Sequence, residues 1–287
     1  MYDYEYIRVE QPEPGIAVMS FIRPEKLNSW SREVFNDMLH FFRLLKTDDE
    51  TKILIIRGEG DRAFCTGADF NSLFPGEGDR DSVEKSFAFQ EELRELIVSV
   101  HEAKQIIITA AHGYAVGGGF FLTMASDIRL IADDVKFSCP LLKMSMSCGD
   151  LGCAYMLPRL IGDGVARDIL LTGRYMFADE AMSLGYASGC YPLAELDNAA
   201  MEKARVLAGY SSEALRYSKQ LLNMMESVGD LDTAIKIENR NQQLVKAFNK
   251  EDAVMATFEE TNKKLYESGW KSQFFSGMMM PIMQFVG

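Results

Sequence analysis

Several things are scarce in this 287-residue sequence, and each scarcity removes a class of function. Cysteine occurs five times, at Cys65, Cys139, Cys148, Cys153 and Cys190, an odd number with no CxxC pair. That pattern argues for reduced thiols, against a disulfide framework, and against a thiolate metal site, so no metal is expected. Basic residues are in deficit: 30 Lys and Arg against 42 Asp and Glu leave a net charge of −12. An acidic surface repels phosphate backbones, so no nucleic-acid partner is expected. No apolar run reaches the length of a membrane span, and no membrane partner is expected. The first residues, Met1-Tyr2-Asp3-Tyr4-Glu5, are acidic and aromatic rather than basic and apolar, so no secretory leader is expected and the cytoplasm is the expected location.

Apolar residues are plentiful, at 47%. They supply a sizeable core for one large domain or a domain with an appendage. The chain is organised around Ala110-Ala111-His112-Gly113-Tyr114-Ala115-Val116-Gly117-Gly118-Gly119-Phe120-Phe121. Ile106-Ile107-Ile108-Thr109 before it reads as a buried strand, and Leu122-Thr123-Met124-Ala125 after it as the first turns of a helix. Three glycines between strand and helix let backbone approach a ligand closely and leave N–H groups unpaired. A helix start of this kind favours negative charge.

In chain order, Tyr4–Glu10 and Ile16–Phe21 are β-rich around Gln11-Pro12-Glu13-Pro14-Gly15, a hairpin signal. Ser31 is an N-cap for a helix expected over Glu33–Lys46. A strand is expected over Lys52–Arg57, a polar loop from Pro75 to Ser82, and a long helix over Val83–Glu102. Strands over Gln105–Ala111, Asp127–Ala132 and Val135–Ser138 follow. From Asp150 onwards the pattern is helical: Leu151–Leu160, Gly164–Leu171, Asp179–Leu184, Leu196–Gly209, Glu213–Met225, Leu231–Asn249 and Asp252–Tyr266. The apolar tail from Gly277 is too short to anchor and reads as a docking or inter-subunit segment.

Three stretches taken together resemble the crotonase (enoyl-CoA hydratase/isomerase) superfamily. They are Arg23-Pro24-Glu25-Lys26-Leu27-Asn28-Ser29, then Ala63-Phe64-Cys65-Thr66-Gly67-Ala68-Asp69-Phe70, then His112 to Gly119 followed by Ala125-Ser126-Asp127-Ile128-Arg129. Leu157-Pro158-Arg159-Leu160-Ile161-Gly162 and Leu171-Thr172-Gly173 match downstream. The resemblance spans about Ile7 to Tyr266. It implies an α/β fold: a crotonase-like spiral of ββα units over residues 1–200, and a helical C-terminal trimerisation region over 201–287. It further implies a homotrimer or dimer of trimers, and an acyl-CoA substrate with no separate cofactor, coenzyme A being part of the substrate. By the same resemblance the backbone N–H groups of Ala68 and Gly118 form an oxyanion hole for a thioester enolate. Gly67, Ala68, Asp69, Phe70, Asn71, Gly117 and Gly118 contact substrate, with Ala68 to Asn71 at the ADP end of the coenzyme. Lys26 and Lys263 or Lys264 meet its phosphates, or else are plain surface lysines. Asp69 reads as a structural cap of its loop.

The sequence departs from a hydratase of this family at two places. The positions of the two usual glutamates hold Phe121 and Leu141, and neither side chain holds water or moves a proton. One carboxylate remains nearby, in Ser147-Cys148-Gly149-Asp150-Leu151-Gly152, one residue further from Pro140 than the common spacing. Asp150 is expected to enter a pocket lined by Phe121, Leu141, Leu142 and Met144, where desolvation would raise its pKa. The alternative is that it only caps the helix over 151–160. A single residue that takes and returns a proton suits an allylic double-bond shift, so an enoyl-CoA isomerase is expected. Hydration by a non-standard site, thioester hydrolysis, decarboxylation and a catalytically silent acyl-CoA binder stay open.

Other polar candidates are weaker. His112 reads as a packed histidine, and His40 and His101 as surface or core-edge residues. Tyr155 can reach the pocket or pack in the core. Cys148 lacks a partner base. Glu91, Glu92 and Glu95 lie on the helix over the acyl pocket and are expected to be mostly solvated. Phe70, Phe74, Phe87, Phe89, Phe120 and Phe121 suit either an apolar acyl group or the core.

Overall fold

The computed structural model describes residues 4–73 and 82–248. Phe74, Lys263, Lys264, the helix expected over 252–266 and the apolar tail lie outside the described residues. By its contacts the chain divides into two compact units, Met1–Asn223 and Met224–Gly287.

The first unit opens with strands β1 (Ile7–Glu13) and β2 (Ile16–Phe21). They pair antiparallel around Pro14-Gly15, with an irregularity between Glu10 and Glu13. The hairpin turn is thus shorter than the expected Gln11–Gly15, because Gly15 sits at φ +78° and reverses the chain locally. Helix α1 (Arg32–Leu45) starts at Ser31, whose hydroxyl accepts from the Val34 N–H. Then come β3 (Ile53–Gly58), the short helix α2 (Phe70–Leu73) and the 20-residue α3 (Ser82–His101). The middle of the unit is β4 (Ile106–Ala111), β5 (Tyr114–Val116), α4 (Gly118–Ala125), β6 (Ile128–Ala132) and β7 (Lys136–Ser138). It ends with α5 (Cys153–Ile161), α6 (Asp163–Thr172), β8 (Met176–Phe177), α7 (Ala178–Ser183), β9 (Gly189–Tyr191), α8 (Leu193–Ala208) and all but the last two residues of α9 (Ser212–Met225).

The strands form two sheets, and from β4 to β7 the chain alternates between them. One is β1-β2-β3-β4-β6-β9 and the other is β5-β7-β8. So β4, β5 and α4 form one ββα turn, and β6, β7 and α5 the next. In the turn before them, β3 is followed by Ala63–Cys65, which bridges to Gly113 and Ala115 beside β5, and then by α2 and α3. β2, β3, β4, β6 and β9 run parallel. A parallel sheet needs cover on both faces, and its period-2 pattern provides it. Leu54, Ile56, Ile107 and Ile131 pack into the main core with α1 and α4. Ile53, Ile55, Ile108 and Leu130 face the other way, against Leu196, Ala200 and Ala204 of α8.

In the second unit, a helix covers 231–248 among the described residues. Asp230 caps it: its carboxylate accepts from the Thr233 N–H at 2.9 Å.

Candidate active site

Three segments distant in sequence are laced together at the start of α4. Trp30 bridges to Ala68, its N–H donating to Gly67 O at 2.7 Å and its carbonyl accepting from Asp69 N–H at 2.9 Å. The Cys65 N–H donates to Tyr114 O, and the Val116 N–H to Cys65 O. This pairing directs the N–H groups of Ala68 and Gly118 out of the ladder. Among the described residues neither donates to a protein acceptor. Both residues line the same cavity of about 110 Å³.

The glycines there have separate jobs. Gly117 is the N-cap of α4 at φ +53°, a left-handed value that disfavours a side chain. A Cβ on Gly118 would lie 2.5 Å from the Trp30 ring, and one on Gly119 2.1 Å from Cys65 O. Gly67, at φ +78°, approaches so closely that its Cβ would meet Gly118 N at 2.6 Å. Small residues on both sides thus bring the Gly67–Ala68 segment against the start of α4.

Two polar residues of the Ala125–Arg129 stretch hold the far end of α4. The buried Arg129 guanidinium donates to the carbonyls of Thr123, Ser126 and Tyr186, satisfying groups left open at a helix C-terminus. Asp127 accepts from the Ile107 N–H at 2.7 Å. These residues aim the helix; they do not reach the cavity.

Asp150 lines the cavity with Ala68, Gly118, Phe121, Leu141 and Met144. Among the described residues lining it, Asp150 is the only carboxylate. Burial pushes its pKa up, and the Leu151 N–H, donating to it at 2.9 Å, pulls the other way without cancelling the rise. The capping alternative does not fit the geometry. Helix α5 begins at Cys153, not Leu151, and its N-cap is the left-handed Gly152. Leu142 also differs from expectation. Residues 141–144 form a 3-10 turn, in which residues three apart share a side. Leu141 and Met144 therefore face the cavity, while Leu142 points outward and is 40% exposed.

Phe121, 1% exposed, forms a wall of the cavity. Phe89 also lines the cavity, but Phe120 stacks in the core on Phe137 and Tyr186, and Phe87 is exposed. Glu91, Glu92 and Glu95 of α3 do not line the cavity either. Glu91 pairs with Arg94, Glu92 with Arg32 and Glu95 with Arg43 at the surface. His112 is packed, and burial lowers its pKa, so it is neutral near pH 7. His40 is exposed and bonded to the Tyr4 hydroxyl. Cys148 accepts the Cys153 thiol on its carbonyl. Lys26 is exposed at the end of a 3-10 turn over Pro24–Lys26. The Asp69 carbonyl accepts from Ser72 and Leu73, closing α2, in which Phe70 and Asn71 lie.

A residue that sequence reasoning passed over is Gln90. It lines this cavity and a second cleft of about 330 Å³ between α3 and α5. In a helix rich in Glu and Arg nothing in its spacing singles it out. His101 and Tyr155 line the second cleft, so Tyr155 is neither in the inner cavity nor in the core. No group of three or more His, Cys, Asp or Glu able to hold a metal occurs among the described residues. Among them too, no helix is long and apolar enough to cross a membrane.

A paired-donor cavity with one desolvated carboxylate is equipped to stabilise an oxyanion and move a proton beside it. The comparisons agree with that chemistry at the level of family. The model of the enoyl-CoA hydratase/isomerase family matches residues 11–269. The chain belongs to this family, within the crotonase superfamily, and acts on acyl-CoA thioesters. "Probable enoyl-CoA hydratase echA12" of Mycobacterium bovis is 30% identical, over 88% of this chain and 90% of that protein. A crystal structure of a "probable enoyl-CoA hydratase/isomerase" from Mycobacterium abscessus superposes with a TM-score of 0.76 at 28% identity, covering 89% of this chain and 96% of that one. A monofunctional enoyl-CoA isomerase from M. smegmatis superposes with a TM-score of 0.67 at 27% identity, covering 80% and 98%.

Proposed function

We propose that this chain is an enoyl-CoA double-bond isomerase with Asp150 as its proton shuttle. The observation carrying the reading is that, among the described residues, Asp150 is the single carboxylate in a cavity also lined by Phe121, Leu141 and Met144. The Asp150 carboxylate takes a proton from the α- or γ-carbon of the enoyl thioester. The C–H electrons flow into a dienolate, whose oxygen accepts from the N–H groups of Ala68 and Gly118. The dipole of α4 acts in the same direction. Asp150 then returns the proton to the other end of the dienolate, and the double bond has moved. No water, cofactor or metal enters the balance. Lys26, and Lys264 in the C-terminal segment, are proposed to meet the phosphates of the coenzyme. The C-terminal helical region is proposed to build a homotrimer or a dimer of trimers, checked by the solution mass from light scattering.

Hydration is the second reading. Relatives carry hydratase names, and Gln90, which lines the cavity as Asp150 does, is a second polar side chain that could help hold a water there. The deciding experiment incubates the protein with crotonyl-CoA, a 3-enoyl-CoA and a cyclic enoyl-CoA in deuterated water, with products read by mass. Deuterium incorporation with a moved double bond and no gain of water supports isomerisation. Gain of water selects the second reading. Loss of coenzyme A would indicate hydrolysis and loss of carbon dioxide decarboxylation. Binding of all three without any product would leave a silent binder, and each of these last outcomes overturns the isomerase.

A further inference from the structure

Two cysteines adjoin the segments that meet at the wall of the cavity around Asp150. Cys139 immediately precedes Pro140 and Leu141, and Cys153 opens α5 two residues after Leu151. Pro140, Leu141, Asp150 and Leu151 all line the cavity, and the two cysteines do not. Both are fully buried in the main core, and both are free thiols. The Cys139 thiol donates to the Cys153 sulfur, and the Cys153 thiol donates to Cys148 O at 2.7 Å. The Cys153 N–H in turn donates to Asp150 O at 3.0 Å. Cys153 holds the first position of a nine-residue helix, where free N–H groups favour a thiolate. The hydrogen bond from Cys139 lowers the pKa of Cys153 and raises that of Cys139. Burial instead pushes Cys65 up to about 12, and it raises Cys190 as well. The cover over Cys153 is thin, since Gly149, Gly152 and Ala154 beside it are exposed.

We propose that Cys139 and Cys153 form a hydroperoxide-reactive dithiol whose oxidation to a disulfide distorts the cavity wall between them. The Cys153 sulfur attacks one peroxide oxygen. The O–O bond breaks, and the departing oxygen leaves as water or an alcohol carrying the Cys153 proton. A sulfenic acid is left on Cys153. The Cys139 sulfur attacks it, the S–S bond forms as the S–O bond breaks, and hydroxide leaves with the Cys139 proton as water. The two thiols lose two electrons and the hydroperoxide gains them. A small dithiol reverses the step by exchange. The new bond draws the sulfurs from hydrogen-bond contact to a length of about 2 Å. The backbone on either side must follow, so Leu141 and Asp150 shift across a space of only about 110 Å³. The dithiol needs that cavity but no particular reaction within it.

The test treats the full chain with hydrogen peroxide and reads intact mass, linked peptides and equilibrium binding of S-butyl-CoA by calorimetry. This thioether offers nothing to isomerise, hydrate or hydrolyse, so failure of the isomerase leaves the result intact. The expected product has lost two hydrogens and yields a Cys139–Cys153 linked peptide. It binds S-butyl-CoA at least about tenfold more weakly, because a closely packed wall does not absorb the shift. Dithiothreitol should restore both mass and affinity. Cys148→Ser should oxidise in the same way. Cys139→Ala should stop at the gain of oxygen on Cys153, with no link. Cys153→Ala lacks the attacking sulfur and should keep its own affinity through the treatment. A folded, unmodified protein that loses no hydrogens, or that links Cys148 instead, overturns the proposal. A Cys139–Cys153 disulfide that leaves the affinity unchanged overturns it too, since the bond would then not reach the cavity.

Discussion

Asp150 is subject to two opposed effects, and their balance sets its use. Burial among apolar side chains disfavours its charged form, while one backbone N–H favours it. Burial wins, so its pKa lies above the ordinary aspartate value of 3.8. As a base it must be ionised in the free enzyme, and kcat/KM should therefore fall on the acid side along a limb centred above the ordinary carboxylate value. A pH profile from 4 to 9 checks this, and Asp150→Asn should abolish the limb. The same variant should lower kcat by roughly 10²- to 10⁴-fold, the usual worth of a positioned acid–base group. The stability sign is opposite. A carboxyl whose folded pKa is raised stabilises the fold below its unfolded pKa, and that contribution is lost as pH rises through the folded value. At neutral pH, Asp150→Asn should thus melt no lower than the unmodified protein. A lower melting temperature with unchanged turnover would return Asp150 to a purely structural role. The residue itself was legible in the sequence, because it stands in a glycine-flanked stretch near the missing glutamates. That it does not cap α5 was not legible. That needed the left-handed Gly152 and the helix start at Cys153, a matter of backbone dihedrals at one turn. The outward Leu142 needed a 3-10 period within four residues, which is too short to read from a pattern.

At the scale of elements, long periodic segments were readable and short ones were not. Helices α1, α3, α8 and α9 and strands β2, β3 and β4 carry enough turns or alternations to declare themselves. β5, β8 and β9 have three, two and three residues, and they exist through pairing with distant partners. The proposed oxyanion-hole positions, Ala68 and Gly118, were suggested only through family resemblance. Why the stretch needs glycine at 118 and 119 was hidden, since the reasons are Trp30 and Cys65. Gly119→Ala tests that reason. Its Cβ would stand 2.1 Å from Cys65 O, a backbone atom in the loop that also carries Ala68. The 65–68 loop must move away from the start of α4, so the two donors separate. Overpacking of this kind costs about 1–3 kcal/mol of stability. Misplacing one donor costs turnover by roughly 10²- to 10³-fold. Urea unfolding and steady-state kinetics on the same preparation read both. Retention of full turnover by a folded Gly119→Ala protein would separate this glycine from the donor geometry.

Across the whole molecule the question is what joins the late helices to the sheet, in a chain with a net charge of −12. In α9 the one fully buried side chain is not apolar; it is Lys219, 3% exposed. Its ammonium donates to Gln105 O at 3.0 Å and to Asp127 at 2.7 Å. Asp127 in turn accepts from the Ile107 N–H, the second amide of β4, and Asn223 donates to His101 O at the end of α3. One lysine thus ties α9 to the start of β4 and to the turn before β6. Desolvation lowers its pKa and the Asp127 carboxylate works against that, the balance expected of a buried pair. Removing the lysine leaves the Asp127 carboxylate, 22% exposed, without its cation, at a cost of at most about 3 kcal/mol, the low end for a fully buried pair. Lys219→Met should lose up to that much in urea unfolding. Lys219→Met combined with Asp127→Asn should recover part of it, because asparagine keeps an acceptor for the Ile107 N–H while removing the stranded charge. If the single and double variants are equally destabilised, the loss comes from packing of α9 and not from the charge of Asp127. In either case the cavity lies away from this pair, so deuterium exchange catalysed by the folded fraction should persist, which separates the architecture that carries the site from the groups that act in it.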